Sequence, residues 1–279
     1  MLEIAKALQL IDSKVINISL RNDAYRLFAE RVGIDRKNLY YSMNHLISDG
    51  TFHQVMQEID DLLQGKPLHR ILGYRYFWKD KFYLSADTLE PRPDTEILIE
   101  TCLKYAPEIQ RPYKILDLGV GSGCILLSLL KEYPNANGVG VDISNGALNT
   151  AKENAAHLDL IQRTQWIQSD WLKSVAGVYD IIVSNPPYIP TEAIKKLSPT
   201  VQEYDPLKAL NGGDDGLTAY RELAAKLYTF IHEGSLVILE IGYDQGESVP
   251  VLFARYGYII LDLVRDYGGN KRCLVLVRP

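Results

Sequence analysis

Apolar positions in the first quarter of the chain recur at helical spacing. Leu2, Ala5, Leu8 and Ile11 mark one helix face. Asn22 reads as the cap of a second helix, with Ala24, Leu27, Phe28 and Val32 turned inward and Gly33 ending it. Phe52, Val55, Met56, Ile59, Leu62 and Leu63 predict a third over Thr51 to Leu63, stopped by Gly65 and Pro67. No strong strand pattern precedes residue 74, so residues 1–73 are expected to form a small all-α domain. Such a domain serves either packing and oligomerisation or recognition of a partner. Tyr74 to Leu84 is rich in aromatic residues and broken at Lys79-Asp80, which predicts a hairpin; residues 74–94 read as a linker built around it.

From residue 95 to 279 the period changes. Strand patterns at Ile115 to Leu118, Gly138 to Val141, Thr164 to Gln168, Tyr179 to Ser184 and Leu236 to Glu240 are interleaved with helical ones. The helices are Cys124 to Tyr133, Asn145 to Leu158, Thr218 to Ile231 and Gln245 to Tyr256. This alternation predicts an α/β domain with a doubly wound parallel sheet. Two further strands, Ile259 to Val264 and Cys273 to Val277, lie too close for a helical crossover. The last of seven strands should therefore run antiparallel.

Composition narrows the function classes. The 279 residues are 47% hydrophobic and 23% charged, enough for a sizeable core. A net charge of −5 argues against affinity built on many phosphates. The three cysteines are widely spaced and lack zinc spacing, which fits a reducing cytoplasm. The start of the chain does not read as a signal peptide. No apolar run approaches the roughly 20 residues of a membrane span.

Asp117-Leu118-Gly119-Val120-Gly121-Ser122-Gly123 lies between a predicted strand and helix, where glycines let backbone approach a ligand. The sixth position counted from Gly119 is Cys124, so the dinucleotide pattern GxGxxG fails, and no phosphate-binding GxxxxGK[ST] is present. Asp117 would oppose a pyrophosphate but can face a cation or an ammonium group. Asp142 ends the next strand, 23 positions past Gly119, suited to accept hydrogen bonds from both ribose hydroxyls. After the third strand, Asp170 can accept from an adenine amino group and Trp171 can cover the ring. Together these describe an adenosine-bearing cation, S-adenosyl-L-methionine, with S-adenosyl-L-homocysteine as product.

Asn185-Pro186-Pro187-Tyr188 follows the strand Tyr179 to Ser184 and thus sits where open α/β sheets place their ligands. An amide or aromatic amine nitrogen shares its lone pair with a π system and is a poor nucleophile. The Asn185 side-chain oxygen and the Pro186 carbonyl can each accept one N–H and aim that nitrogen at a sulfonium methyl. Tyr188 can stack on the flat group. Displacement from a sulfonium needs no metal. In isolation the segment could equally be a capped Pro-Pro turn; beside the glycine loop the chemical reading is stronger. Pro91 to Glu96 opens a helix, either as plain capping or as a lid over the cofactor. His69 and Arg70 show no acid–base partner and read as structural. Asp266 to Arg272 reads as a hairpin loop that either shapes the cleft or merely turns.

These residues resemble the protein-glutamine N-methyltransferases of the HemK/PrmC type, over nearly the whole chain. The resemblance rests on Gly65 to Leu68, Arg75 to Trp78, Pro91 to Glu96, Asp117 to Gly123, Asp142, Ser169 to Trp171, Asn185 to Tyr188, Glu203 with Pro206-Leu207 and Ala209-Leu210, and Arg265 to Tyr267. It implies a Rossmann-like S-adenosylmethionine-dependent methyltransferase domain behind a helical N-terminal domain. The implied substrate is the glutamine of the Gly-Gly-Gln loop of class 1 peptide-chain release factors. By position, Asp117, Gly119, Val120, Gly121, Ser122, Gly123, Asp142, Asp170, Trp171 and Asn185 would contact the cofactor, and Asn185, Pro186, Pro187 and Tyr188 would hold the glutamine. Glu90 departs from the family, which usually carries an apolar residue before Pro91. Asn-Pro-Pro-Tyr alone is shared with nucleic-acid exocyclic-amine methyltransferases, which would want a basic face. A sister family acting on a ribosomal protein usually carries Pro-Arg-Ser-Pro where Arg92 to Thr95 stand here. A binding module that kept the fold and lost catalysis is a third reading, opposed by intact Asp142 and Asn185. No nucleic acid or membrane partner is expected.

Overall fold

In the computed structural model, residues 1–278 are described. They form two compact units, Met1–Gly73 and the chain from Tyr74 onward. In the first, helices α1 (Ile4–Lys14), α2 (Ile18–Val32), α3 (Asp49–Leu63) and α4 (Leu68–Leu72) enclose a core of Ile4, Leu8, Ile11, Leu27, Phe28, Val55 and Ile59. Two short strands, β1 (Leu2–Glu3) and β2 (Leu46–Ile47), pair antiparallel beside them. The second helix starts earlier than its apolar pattern predicts. Asn17, not Asn22, is its cap, accepting from Ser19 N–H at 2.9 Å. The polar run Arg21-Asn22-Asp23 faces out and hides the first turn from a periodicity reading; Asn22 Oδ1 accepts from Arg36 instead. Gly33 does end this helix, in the left-handed conformation that glycine adopts without strain.

The second unit opens with the expected hairpin, β3 (Tyr74–Phe77) and β4 (Asp80–Tyr83), turning at Trp78-Lys79. It continues with α5 (Glu96–Tyr105), β5 (Lys114–Leu118), α6 (Cys124–Glu132), β6 (Asn137–Asp142), α7 (Asn145–His157), β7 (Thr164–Gln168) and β8 (Tyr179–Ser184). Two short helices not evident in the sequence pattern follow, α8 (Thr191–Ile194) and α9 (Pro199–Tyr204). The chain ends with α10 (Thr218–Lys226), β9 (Ile231–Glu240), α11 (Ser248–Arg255), β10 (Ile259–Arg265) and β11 (Lys271–Val277). The helix expected over Thr218 to Ile231 stops at Lys226, and a 3-10 turn delivers the chain into β9 five residues before its predicted start. The reason is that Ile231 pairs with Tyr179 across the sheet, and this pairing overrides the helical spacing.

Strands β5 to β11 form one sheet in the order β10-β11-β9-β8-β5-β6-β7. β11 pairs antiparallel with both neighbours, and the remaining pairs are parallel. This is the Rossmann-like methyltransferase architecture with its last strand reversed. One face packs on α5 to α7 through Ile115, Leu126, Leu130, Val183 and Ile238. The other packs on α10 and α11 through Leu116, Leu118, Ile182, Tyr220 and Phe253. The order reverses between β5 and β8, so their carboxyl ends open a crevice, the usual ligand position in open α/β sheets. Among the described residues no helix is long and apolar enough to cross a membrane. Cys102, Cys124 and Cys273 are all buried and unpaired as disulfides.

Candidate active site

A cleft of about 820 Å3 occupies that crevice. Its floor is the turn from β5 into α6. Gly119 and Val120 N–H both donate to Val141 O, at 2.8 and 2.9 Å, tying the loop to β6. Gly121 has φ +54°, and a Cβ there would meet no atom within 4 Å. Glycine is thus favoured by conformation, and the space above it is free for a ligand. Gly123 caps α6.

Asp142 stands at the end of β6 and lines the cleft. Its Oδ2 accepts Gly121 N–H and its Oδ1 accepts Ser144 N–H, each at 2.9 Å. Burial raises its pKa, and these amides with that of Ile143 oppose the rise. Each oxygen keeps a second lone pair. Asp170 and Trp171, just past the end of the neighbouring strand β7, also line the cleft. Asp170 is paired with Lys173 one turn on. Trp171 adopts φ +52°, and its ring would lie 3.9 Å from a Cβ at Gly119, so the indole borders the glycine turn.

Asn185 and Pro187 also line the cleft, whereas Pro186 is buried behind it. Asn185 Nδ2 donates to Thr95 Oγ1 at 3.3 Å. Tyr188 is not among the lining residues; its ring packs on the core facing α10 and α11, and burial raises its pKa. Its hydroxyl donates to Glu240 Oε1 at 3.5 Å, and its carbonyl accepts from Gln245 Nε2 at 3.2 Å. The segment is held from outside as well: Ile189 N–H donates to Leu210 O and Gly212 N–H to Ile189 O. The Asn-Pro-Pro-Tyr backbone is therefore clamped on both sides before any ligand arrives.

Asp117 is fully buried and is not among the lining residues. Neither of its carboxylate oxygens reaches a hydrogen-bond donor among the described residues. Burial pushes its pKa up to about 8, and the charge of Asp142 adds to that rise. Pro91, Arg92 and Thr95 form one rim, and Pro206 to Ala209 the facing rim. Arg92 and Asp205 join the two through an ion pair of 2.6 Å. Glu90, the acid before Pro91, is paired with Arg75 of β3, so its charge is balanced. The Asp266 turn does more than reverse the chain. Arg272 donates to Asp266 at 3.1 Å and to Ile241 O at 3.3 Å, and lies 3.7 Å from Asp94 beside the rim.

Relatives decide the family. The chain is 44% identical to a release factor glutamine methyltransferase of Agrobacterium fabrum over 92% of this chain and 90% of the relative. It belongs to the release factor glutamine methyltransferase family. A relative of the same description from Francisella tularensis is 35% identical over 96% of this chain and 94% of its own length. Residues 17–73 match the PrmC N-terminal domain and residues 85–200 the methyltransferase small domain. A solved methyltransferase from Pyrococcus furiosus shares the fold at TM-score 0.51 and 14% identity, covering 82% of this chain and 98% of that one.

Thr95 and Arg272, from the two segments singled out as a lid and a cleft-shaping loop, lie beside the Asn185 segment. The structure adds residues that motif reading passed over: Glu240 and Gln245 hold Tyr188, and Asn154 supports the glycine loop. Glu240 carries a signal that could have found it. Like Asp142, it is a carboxylate ending an apolar strand, followed by a glycine-containing turn. Asn154 and Gln245 have no such mark, because their partners lie on other elements.

Proposed function

We propose that this chain transfers a methyl group from S-adenosyl-L-methionine to the side-chain amide nitrogen of the glutamine in the Gly-Gly-Gln loop of class 1 peptide-chain release factors, in the cytoplasm. The observation that carries the reading is that Asn185 and the Gly119–Ser122 turn with Asp142 line one cleft. The cleft suits the cofactor: open backbone at Gly121, a carboxylate with spare lone pairs at Asp142, and an indole with the exposed Ile143 beside them. When bound, S-adenosyl-L-methionine supplies a methyl carbon on a sulfonium that leaves as the neutral thioether S-adenosyl-L-homocysteine.

The chain's part is to hold and aim. Asp142 accepts from the ribose hydroxyls, while Asp170 and Trp171 border the adenine. Asn185 Oδ1 and the Pro186 carbonyl each accept one N–H of the glutamine amide, which turns the nitrogen lone pair toward the methyl carbon. Pro187, with Tyr188 next in the chain, gives the planar amide a rigid wall. The N–C bond forms as the C–S bond breaks, the electron pair goes to sulfur, and the nitrogen then releases one proton to solvent. No general base is needed beforehand, because the nitrogen becomes acidic only once alkylated. The helical unit is assigned to recognition of the release factor.

The deciding experiment is transfer of labelled methyl to a purified release factor, beside its Gln→Ala variant and duplex DNA. Label on the wild-type factor alone supports both reaction and site. Label on DNA alone would overturn the substrate and leave the cofactor assignment standing.

A further inference from the structure

Just past the β3–β4 hairpin, residues 85–88 make a tight turn that reaches the end of the cleft where Asp142 stands. Ser85 N–H donates to Thr88 Oγ1 at 3.0 Å and Thr88 N–H to Ser85 O at 3.3 Å, which fixes the turn. The Ser85 hydroxyl oxygen accepts from Asp87 N–H at 3.2 Å and from Thr150 Oγ1 of α7 at 2.9 Å, which seats the turn on that helix. Asp87 lines the cleft together with Asp142 and Ser144. Ser144 donates to both carboxylates, its N–H to Asp142 Oδ1 at 2.9 Å and its hydroxyl to Asp87 Oδ1 at 3.3 Å. One residue thus holds the two acids side by side.

Gly146, in the first turn of α7, lets Asp87 in. A Cβ there would lie 2.0 Å from Asp87 Oδ2. Gly146 does not have the positive φ that would call for glycine, and inside a helix glycine is less favourable than alanine. Its missing side chain therefore serves the close approach of Asp87. A carboxylate beside the first turn of a helix gains from the unpaired amides and the dipole there, which is a purely structural account of Asp87. That account does not explain why a second acid stands next to Asp142, whose charge it opposes: burial raises the Asp142 pKa and the Asp87 charge adds to the rise. A carboxylate offers about four lone pairs, and the Ser144 hydroxyl takes one from Asp87. Two neighbouring carboxylates with lone pairs to spare fit two neighbouring hydroxyl donors, the feature that a ribose presents.

We propose that Asp87 is a second acceptor for the cofactor ribose, seated beside Asp142 by Ser144 and by the absence of a side chain at Gly146. The inference rests on the placement of the ribose at Asp142 given above, so Asp142→Ala is measured alongside. Calorimetry gives Kd for S-adenosyl-L-methionine and S-adenosyl-L-homocysteine with full-length Asp87→Ala, Gly146→Ala, their double variant and Asp142→Ala, and Tm is recorded for each. The 2′-deoxy and 3′-deoxy forms of S-adenosyl-L-homocysteine serve as hydroxyl probes. Asp87→Ala should raise Kd about fivefold for both parent ligands, because both carry the same ribose. Gly146→Ala should raise it by a similar factor by displacing the carboxylate, yet keep or raise Tm, since alanine is the better helix former. The double variant should bind no more weakly than the weaker single one, because both changes remove one contact. One of the two deoxy ligands should bind the parent and Asp87→Ala proteins equally.

Parental Kd in Asp87→Ala or in Gly146→Ala, with Asp142→Ala weakened, would overturn this proposal alone. A loss confined to S-adenosyl-L-methionine would assign Asp87 to attraction of the sulfonium charge and overturn the hydroxyl contact, as would full sensitivity of both deoxy ligands to Asp87→Ala. A loss matched by a fall in Tm would overturn it in favour of a structural role at the start of α7. Undiminished affinity in Asp142→Ala would remove the placement of the ribose and this inference with it.

Discussion

Asn154 grips Tyr83 at both ends of its residue: Oδ1 accepts Tyr83 N–H at 2.8 Å and Nδ2 donates to Tyr83 O at 3.0 Å. Nδ2 also donates to Ser122 O at 2.8 Å, and Asn154 is fully buried. One side chain on α7 thus ties β4 to the glycine turn. Replacing it by alanine strands one N–H and two carbonyls. Asn154→Ala should destabilise the protein by about 3 kcal/mol in urea unfolding, at the upper end of single substitutions. It should also weaken cofactor binding by loosening the turn at Ser122. Unchanged stability with unchanged cofactor affinity would show that the turn holds itself.

Asp142 has two tasks that one substitution can separate. Both oxygens accept backbone N–H, from Gly121 and Ser144, so the carboxylate shapes the loop as well as facing the cleft. Asparagine keeps one acceptor and sets an NH2 against one of those N–H groups. Asp142→Asn should raise cofactor Kd about tenfold, from one lost charged hydrogen bond and one repulsive contact. Asp142→Ala should raise it further. Calorimetric affinities equal to that of the parent protein would refute the ribose assignment.

Gly216 bears on Tyr188 through backbone alone. It has φ +74°, and a Cβ there would lie 2.4 Å from Tyr188 O. That oxygen also accepts from Gln245, so it cannot move freely. Gly216→Ala should lower Tm and cut kcat more than it changes cofactor Kd, with a strain cost of about 1–3 kcal/mol. Parental kcat in this variant would show that the Tyr188 backbone position does not matter for turnover.

The fold was legible because its signals are local. Each central strand from β5 to β8 is a short run near a glycine turn or an acid, and each helix shows one apolar face. Asp142, Asn185 and the glycine turn were legible for the same reason, since strand ends of a parallel sheet converge on one crevice. What local pattern missed depends on distant partners. Thr95 reaches Asn185 across 90 residues and Asn154 reaches Tyr83 across 71. The facing rim at Pro206 to Ala209 lies in a stretch of short turns with no sustained period. The α2 start was misplaced because exposed polar residues at Arg21 to Asp23 resemble a cap, whereas the helix runs through them.

Asp117 makes stability depend on pH in a direction opposite to a paired carboxylate. Its pKa rises from an ordinary 3.8 to about 8 on folding, chiefly through burial, with the Asp142 charge adding to it. Below the lower value both states are protonated, and the neutral folded form carries no penalty. Between the two values the unfolded chain ionises while the folded one keeps its proton, so stability falls as pH rises. Above about 8 both are ionised and the fall ends. Asp117→Asn removes this proton linkage. Glu240 titrates in part of the same window, so the informative quantity is the difference between the parent and Asp117→Asn proteins. Urea midpoints at several pH values from 5 to 8 should show the variant gaining on its parent steadily as pH rises. Parallel curves would mean that Asp117 is ionised in the folded protein and that a donor approaches it.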